Sequence, residues 1–252
     1  MPTTLVPALP APFRWAGDHV AVELGGDVHA LFTTRRGGAA TGAYASLDLA
    51  IGDGGHDRAA VEENYRRVAD VVGVPRDHVV QGRQTHESRV DVVDGPREIV
   101  DGVDGHATGR PGIALLVLTA DCLPVALAAD GAVAMVHAGW RGLAGGILAE
   151  GVRALRAAGG TGPMTAAIGP GAGGCCYEVG DEVRAAFADV PEARHDRNLD
   201  LKAVAAVRLR AAGVRTVLDA GLCTMCSDAS LFFSHRRDRG VTGRQAGVAW
   251  RS

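Results

Sequence analysis

Apolar residues recur along the chain with two periods. Alternating or continuous apolar runs of four to eight residues, bounded by turn residues, predict strands. Such runs lie at 20–24 and 29–35, split by Gly25, Gly26 and Asp27 as in a hairpin. Others lie at 113–119, 123–128, 132–137, 164–168, 214–221 and 244–250. Residues 78–93 read as two strand-like pieces joined around Gln84, Thr85 and His86. A helical period runs through 57–72, where Ala60, Val61, Tyr65, Val68 and Val72 share one side and Gly73 ends the pattern. Further helices are predicted at 143–158, 181–188 and 199–212. The first half is strand-rich and the second alternates strands with helices. That order predicts an α/β (α+β) fold: a single domain over residues 1–252 with one mixed β-sheet flanked by helices.

Residues 35–55 form a long Gly-rich loop that contains Arg35, Ser46 and Asp53. A loop of that length in a compact protein is commonly functional. With 47% hydrophobic residues in 252, the chain has enough apolar material for a large core. Its net charge of −3 and the lack of a long basic run argue against nucleic acid as a partner. No apolar run reaches the roughly 18 residues that a membrane helix needs. The N-terminus lacks the basic-then-apolar pattern of a secretory signal. The expectation is a cytoplasmic protein with no membrane partner, whose five cysteines serve as packing residues, metal ligands or nucleophiles rather than a disulfide framework.

Gly169, Gly171 and Gly174 match a dinucleotide-binding pattern, but Cys175, Cys176, Tyr177 and Gly180 follow where a helix should open. A Gly-rich loop shaping a pocket wall fits better. Cys223 and Cys226 have the spacing of half a zinc site, yet the other close pair, Cys175 and Cys176, has no spacer. Poor chelate geometry is therefore expected there, and a loop thiol pair without a dedicated role. His86, Cys122 and His137 each lie at a strand end or turn. One thiolate and two imidazoles form a three-ligand set with an open fourth position, the catalytic pattern for zinc. Spacing alone equally allows a metal-free thiol nucleophile at Cys122 with His137 as its base.

Six segments together resemble the YfiH family: QTH at 84–86, TADCLPV at 119–125, VHAGWRG at 136–142, IGPGAGGCCYEVG at 168–180, FFSHRRD at 232–238 and TGRQAG at 242–247. The motif-bearing part spans about residues 32–250. This family once carried a multicopper polyphenol oxidase or laccase label and is now described as zinc-dependent purine nucleoside phosphorylase with adenosine deaminase activity. The resemblance implies a transferase and hydrolase acting on purine nucleosides and phosphate, with one Zn2+ per chain, or copper as a substitute, held by His86, Cys122 and His137. The expected catalytic set is Cys122 and His137 with Arg141, four residues past a ligand, and Asp121, beside the Cys ligand. Arginine suits phosphate because of its fork of donors, so Arg35 and Arg141, with Ser46, are the expected substrate or phosphate contacts. Arg141 has an alternative role as a structural partner of Asp121. Asp121, next to the Cys ligand, is expected to orient a His ligand or a water. Two positions depart from the family pattern: Glu87, where Gly is usual, could alter the rim, and Asp48, where Asn is usual, places a negative charge near the expected substrate.

Overall fold

The computed structural model describes residues 6–52 and 55–252. Asp53, singled out in the early loop, lies outside the described residues. Two six-stranded mixed sheets form the frame, rather than the single sheet expected. The first sheet runs, in spatial order, Arg14–Ala16, His19–Gly25, Val28–Phe32, Gln245–Arg251, Ala114–Thr119 and Val79–Val80. Its neighbours are antiparallel except for the last pair. The second runs Thr216–Asp219, Thr161–Ile168, Leu123–Asp130, Ala132–Ala138, Gly105–Thr108 and Val90–Val92, with parallel pairs at its two edges.

Alternation along each strand sends side chains to opposite faces, and here both faces are buried. In Ala114–Thr119, Leu115 and Val117 enter the core between the sheets, while Ala114 and Leu116 enter a second core on the outer face. In Leu123–Asp130, Ala126 and Ala128 face the first sheet, and Leu123, Val125 and Leu127 face the helices beyond. Small residues let the sheets approach closely. A Cβ on Gly247 would fall 2.5 Å from the Pro124 side chain and 3.0 Å from the Met135 sulfur.

Among the described residues, five α-helices cover the outer faces: α1 (Arg58–Val72), α2 (Trp140–Ala144), α3 (Ile147–Ala157), α4 (Asp181–Ala186) and α5 (Leu201–Ala211). Helix α1 packs on the first sheet through Val61, Tyr65, Val68 and Val72. Asp57 caps its start by accepting from the Ala59 and Ala60 amides, and left-handed Gly73 ends it. The single helix expected at 143–158 is two. It begins earlier, at Trp140, and breaks at Gly145 and Gly146, where Gly146 adopts a φ of 86°. Among the described residues, no helix is long and apolar enough to cross a membrane.

The chain passes from the first sheet to the second between Thr119 and Leu123, with Asp121 in a left-handed conformation at φ 92°. Cys122 therefore stands where the two sheets meet. The neighbouring strand ends at Ala138, with His137 opposite Pro124.

His106, in Gly105–Thr108, is 1% exposed, and neither ring nitrogen has a hydrogen-bond partner among the described residues. Burial, the largest influence, and the Arg97 charge push its pKa from 6.5 down to about 4. The unfolded chain takes up this proton near 6.5 and the folded chain only near 4, so stability falls as pH drops through that window. Replacing His106 with Leu removes that component. Urea midpoints of wild type should fall between pH 6.5 and 4 more steeply than those of His106→Leu; parallel curves would contradict a neutral buried imidazole.

Candidate functional site

A buried carboxylate organises the segment around His86. Asp104 is fully buried. Its Oδ1 accepts from the His86 amide at 3.0 Å, and its Oδ2 accepts from the Thr85 and Glu87 amides at 3.0 and 3.1 Å. Three successive amides thus converge on one side chain, which supports the left-handed φ of 64° at His86. Gln84 fixes the same segment from the other side. Its amide donates to the Leu118 carbonyl and accepts from the Leu118 N–H, both at 2.8 Å, and so docks the turn on the end of Ala114–Thr119.

Asp104 Oδ1 also accepts from Nδ1 of His137 at 2.7 Å, and the Asp104 carbonyl accepts from the His137 amide at 2.7 Å. With Nδ1 engaged, Nε2 is the nitrogen left for a metal or a proton. His86 and His137 meet edge to face with centroids 4.8 Å apart. The ligand atoms of His86, Cys122 and His137 all lie within 4.8 Å of one another. Gly139 keeps this space clear: a Cβ there would sit 3.0 Å from the Cys122 sulfur and 3.2 Å from the His86 ring.

The electrostatics favour a thiolate. Burial opposes ionisation of Cys122, but the His137 charge and hydrogen bonds from both imidazoles outweigh it and lower the pKa. Burial likewise opposes a charge on His137, and the Cys122 thiolate with Asp104 overcomes it and raises that pKa. At Asp104, burial is opposed by the His137 bond and the converging amides, which hold the carboxyl below its ordinary range. A soft thiolate beside two imidazoles, one oriented by a carboxylate, is a donor set that fits zinc or copper.

These side chains line a cavity of about 510 Å³, within the range of small-molecule sites. His56, Tyr177, Arg236 and Arg244 line it too. Arg236 lies over the Tyr177 ring, 5.1 Å from its centroid, and donates to the Glu178 carbonyl at 2.7 Å. Arg244 donates to the Gly243 carbonyl at 3.0 Å.

Other expected residues stand elsewhere. Arg35 donates to the carbonyls of Ala45, Ala229 and Ala43 and lies over Phe233, so it braces the early loop outside the cavity. Ser46 accepts from the Gly38 amide and donates to the Arg35 carbonyl, again within that loop. Arg141 lies over the Trp140 ring at 4.2 Å and faces an adjoining groove with His86, Glu87 and Glu150, rather than the cavity or Asp121. Asp121 does not orient a histidine. It accepts from the Thr224 hydroxyl at 2.7 Å and the Arg236 amide at 2.8 Å, and Asp104 takes the orienting role. Asp48 is buried and accepts from His56 Nδ1 at 2.5 Å and the Arg244 amide at 2.8 Å, so its charge meets protein donors. Glu87 stands exposed in the adjoining groove. The four remaining cysteines correct the expectation of poor chelate geometry: their sulfurs all gather within 4.8 Å.

Comparison with known proteins identifies the family. Residues 29–252 match the family model described as multi-copper polyphenol oxidoreductase laccase, and the chain belongs to that family. It is 39% identical over 246 residues to purine nucleoside phosphorylase ORF3 of Streptomyces griseus, covering 92% of this chain and 98% of that one. A purine nucleoside phosphorylase of Xylella fastidiosa is 42% identical over 250 residues, covering 88% and 92%. The crystal structure of Bacillus licheniformis YfiH superposes with a TM-score of 0.88 at 34% identity, covering 96% of this chain and all of that one. YlmD from Geobacillus stearothermophilus gives 0.82 at 36% identity, covering 89% and 92%. The relatives' names support an enzyme.

Asp104→Asn keeps the shape but weakens the acceptor that orients His137. Such outer partners typically contribute a factor of roughly 10–100 in metal affinity. Zinc titration against a competing chelator should show a loss of that size; unchanged affinity would remove Asp104 from the site.

Proposed function

We propose that this protein is a zinc-dependent purine nucleoside phosphorylase that also deaminates adenosine. The observation that carries the reading is the His86, Cys122 and His137 cluster at one wall of a nucleoside-sized cavity that is also lined by arginines. His86, Cys122 and His137 would hold the ion, with copper as a substitute. Bound there, zinc supplies Lewis acidity at an open coordination position.

The chain's own residues supply the rest. In phosphorolysis a phosphate oxygen bonds to C1′ of the ribose, the bond from C1′ to the purine nitrogen breaks, and the electron pair leaves with the base. Positive charge develops on the sugar, so an anion held against it stabilises the transition state. Arg236 and Arg244 are the cavity cations we assign to phosphate, in place of Arg35 and Arg141. Each has one amino group fixed on a backbone carbonyl, which sets the plane of its guanidinium. Tyr177, whose pKa is raised chiefly by burial, keeps its proton and is a donor for the nucleoside. In deamination, water replaces the C6 amino group and ammonia leaves. The thiolate, with His137 fixed by Asp104, keeps the ligand set charged for the metal near neutral pH.

The older label rests on copper-dependent phenol oxidation. A multicopper cluster requires many clustered imidazoles, whereas the group at this cavity offers two. That supports a mononuclear centre. A metal-free Cys122 and His137 hydrolase or transferase is the second reading, favoured by the same lowered thiol pKa. Its mark is activity that survives chelation.

Incubation with adenosine should yield adenine and ribose 1-phosphate only when phosphate is present, and inosine without it. Inosine alone would sink the phosphorylase half of the reading, and no purine chemistry would sink both halves. Arg236→Ala should raise the KM for phosphate by roughly 10–100-fold, the range for losing a charged hydrogen bond, with inosine formation largely kept.

A further inference from the structure

Four cysteines lie outside the cavity machinery. Cys175 and Cys176 come from the Gly-rich segment after Thr161–Ile168, and Cys223 and Cys226 from a turn about fifty residues later in the chain. The amides of Cys176 and Tyr177 both donate to the Gly173 carbonyl, at 3.2 and 3.1 Å. That tight turn places the two adjacent thiols 3.7 Å apart. Cys175 lies 3.3 Å from Cys226. Cys176 lies 3.5 Å from Cys223 and 2.8 Å from Cys226.

None of these separations is a covalent bond, which requires about 2.05 Å. Four sulfurs around one zinc at about 2.3 Å would stand roughly 3.8 Å apart, the edge of the tetrahedron. Three of the four separations, at 3.3, 3.5 and 3.7 Å, lie close to that edge. The backbone closes in as it does around a bound ion's ligands. The Gly173 and Cys226 amides both donate to the Cys223 sulfur, at 3.3 and 3.4 Å. A Cβ on Gly173 would stand 3.2 Å from the Cys175 sulfur and 3.4 Å from the Cys223 Cβ. Amides aimed at sulfur satisfy a thiolate's lone pairs once it binds a metal.

We propose that Cys175, Cys176, Cys223 and Cys226 bind a second zinc ion in a closed, all-thiolate site. Four protein thiolates leave no open position, so the ion is structural. Its position explains what it does. Cys176 is followed by Tyr177, a wall of the cavity. Cys223 is followed by Thr224, whose hydroxyl holds Asp121 beside Cys122. The Thr224 amide donates to the Gly171 carbonyl at 3.1 Å, which joins the two segments. The ion clips them together and fixes the wall of the site from outside.

The test is a metal count on protein purified under reducing conditions, with cobalt exchange to report the ligands. Wild type should hold two zinc ions per chain. Cys226→Ser and Cys223→Ser should each retain the ion at Cys122 and lose the other, and the melting temperature should drop by on the order of 5 °C. Cys226 is exposed, so its serine variant removes a ligand with little change in packing. Cys122→Ala should lose the cavity ion and keep the sulfur-to-cobalt charge-transfer bands of a four-thiolate site. Because the two variants remove different ions, failure here is distinct from failure of the cavity metal. One ion in wild type that disappears entirely in Cys122→Ala would overturn the proposal, as would a native Cys176–Cys226 disulfide found by peptide mapping.

Discussion

The carboxylate of Asp104 is the contact on which the site depends. It is fully buried, and it satisfies five donors at once: the amides of residues 85, 86 and 87, the Thr85 hydroxyl and Nδ1 of His137. A buried charge is tolerable only when its partners are complete. This one is complete because two segments 17–19 and 33 residues away in sequence both turn toward it. Removing the carboxylate leaves its donors, the His137 ring among them, without an acceptor in a low-dielectric interior, at a cost of about 3–5 kcal/mol. The carboxylate therefore stabilises the fold and aligns the His86 segment and the His137 ring in the same act. The left-handed backbone of His86 and the orientation of the His137 ring follow from one side chain rather than from two independent devices.

Much of the frame was legible in the sequence because local signals agree with the fold. Asp57 and Gly73 bound α1 as a cap and a stop, and the buried side contains each apolar residue named from the 3.6-residue period. Where reading failed, the physical signal was ambiguous. Strands buried on both faces read as continuous apolar runs, and such runs do not report how many sheets they enter. The passage from one sheet to the other takes only residues 120–122, too short to look like a boundary. Gly145 and Gly146 were available as a break in the helix, but the apolar period resumes beyond them and masks it.

The site divides in the same way. Histidines and cysteines announce themselves by chemistry, and the motif resemblance singles out His86, Cys122 and His137, which the structure brings within 4.8 Å of one another. Asp104 does not announce itself: it sits before a glycine in an ordinary turn pattern, and its partners are distant in sequence. Arg35 and Ser46 misled because a polar residue in a Gly-rich loop serves carbonyls and amides as readily as phosphate. Asp48 misled for the opposite reason. Its charge, suspicious in sequence, is absorbed by His56 and the Arg244 amide. The vicinal Cys175 and Cys176 looked unfit as chelators because a missing spacer matters for an extended chain. A turn closed on the Gly173 carbonyl removes that objection.

The crossing at residues 120–122 now has a physical account. The chain leaves one sheet and enters the other within three residues, and Asp121 in that crossing adopts a left-handed conformation. Non-glycine residues adopt it at a cost, of order 1–3 kcal/mol, and persist there when their surroundings hold them. The surroundings are specific: the Asp121 carboxylate accepts from Thr224 and Arg236, and its carbonyl accepts from the Ala172 amide at 2.7 Å. Those three partners belong to the segments that carry Cys175 and Cys176, Cys223 and Cys226, and the cavity arginine Arg236. The thiol of Cys122 is thus placed by two anchors of different kinds. Asp104 fixes the His137 ring and the His86 backbone opposite it, and Asp121 fixes the backbone beside Cys122 from the cysteine-bearing turns. A thiol held from both sides at a junction of two sheets has little freedom to relax, which is what a preorganised site requires.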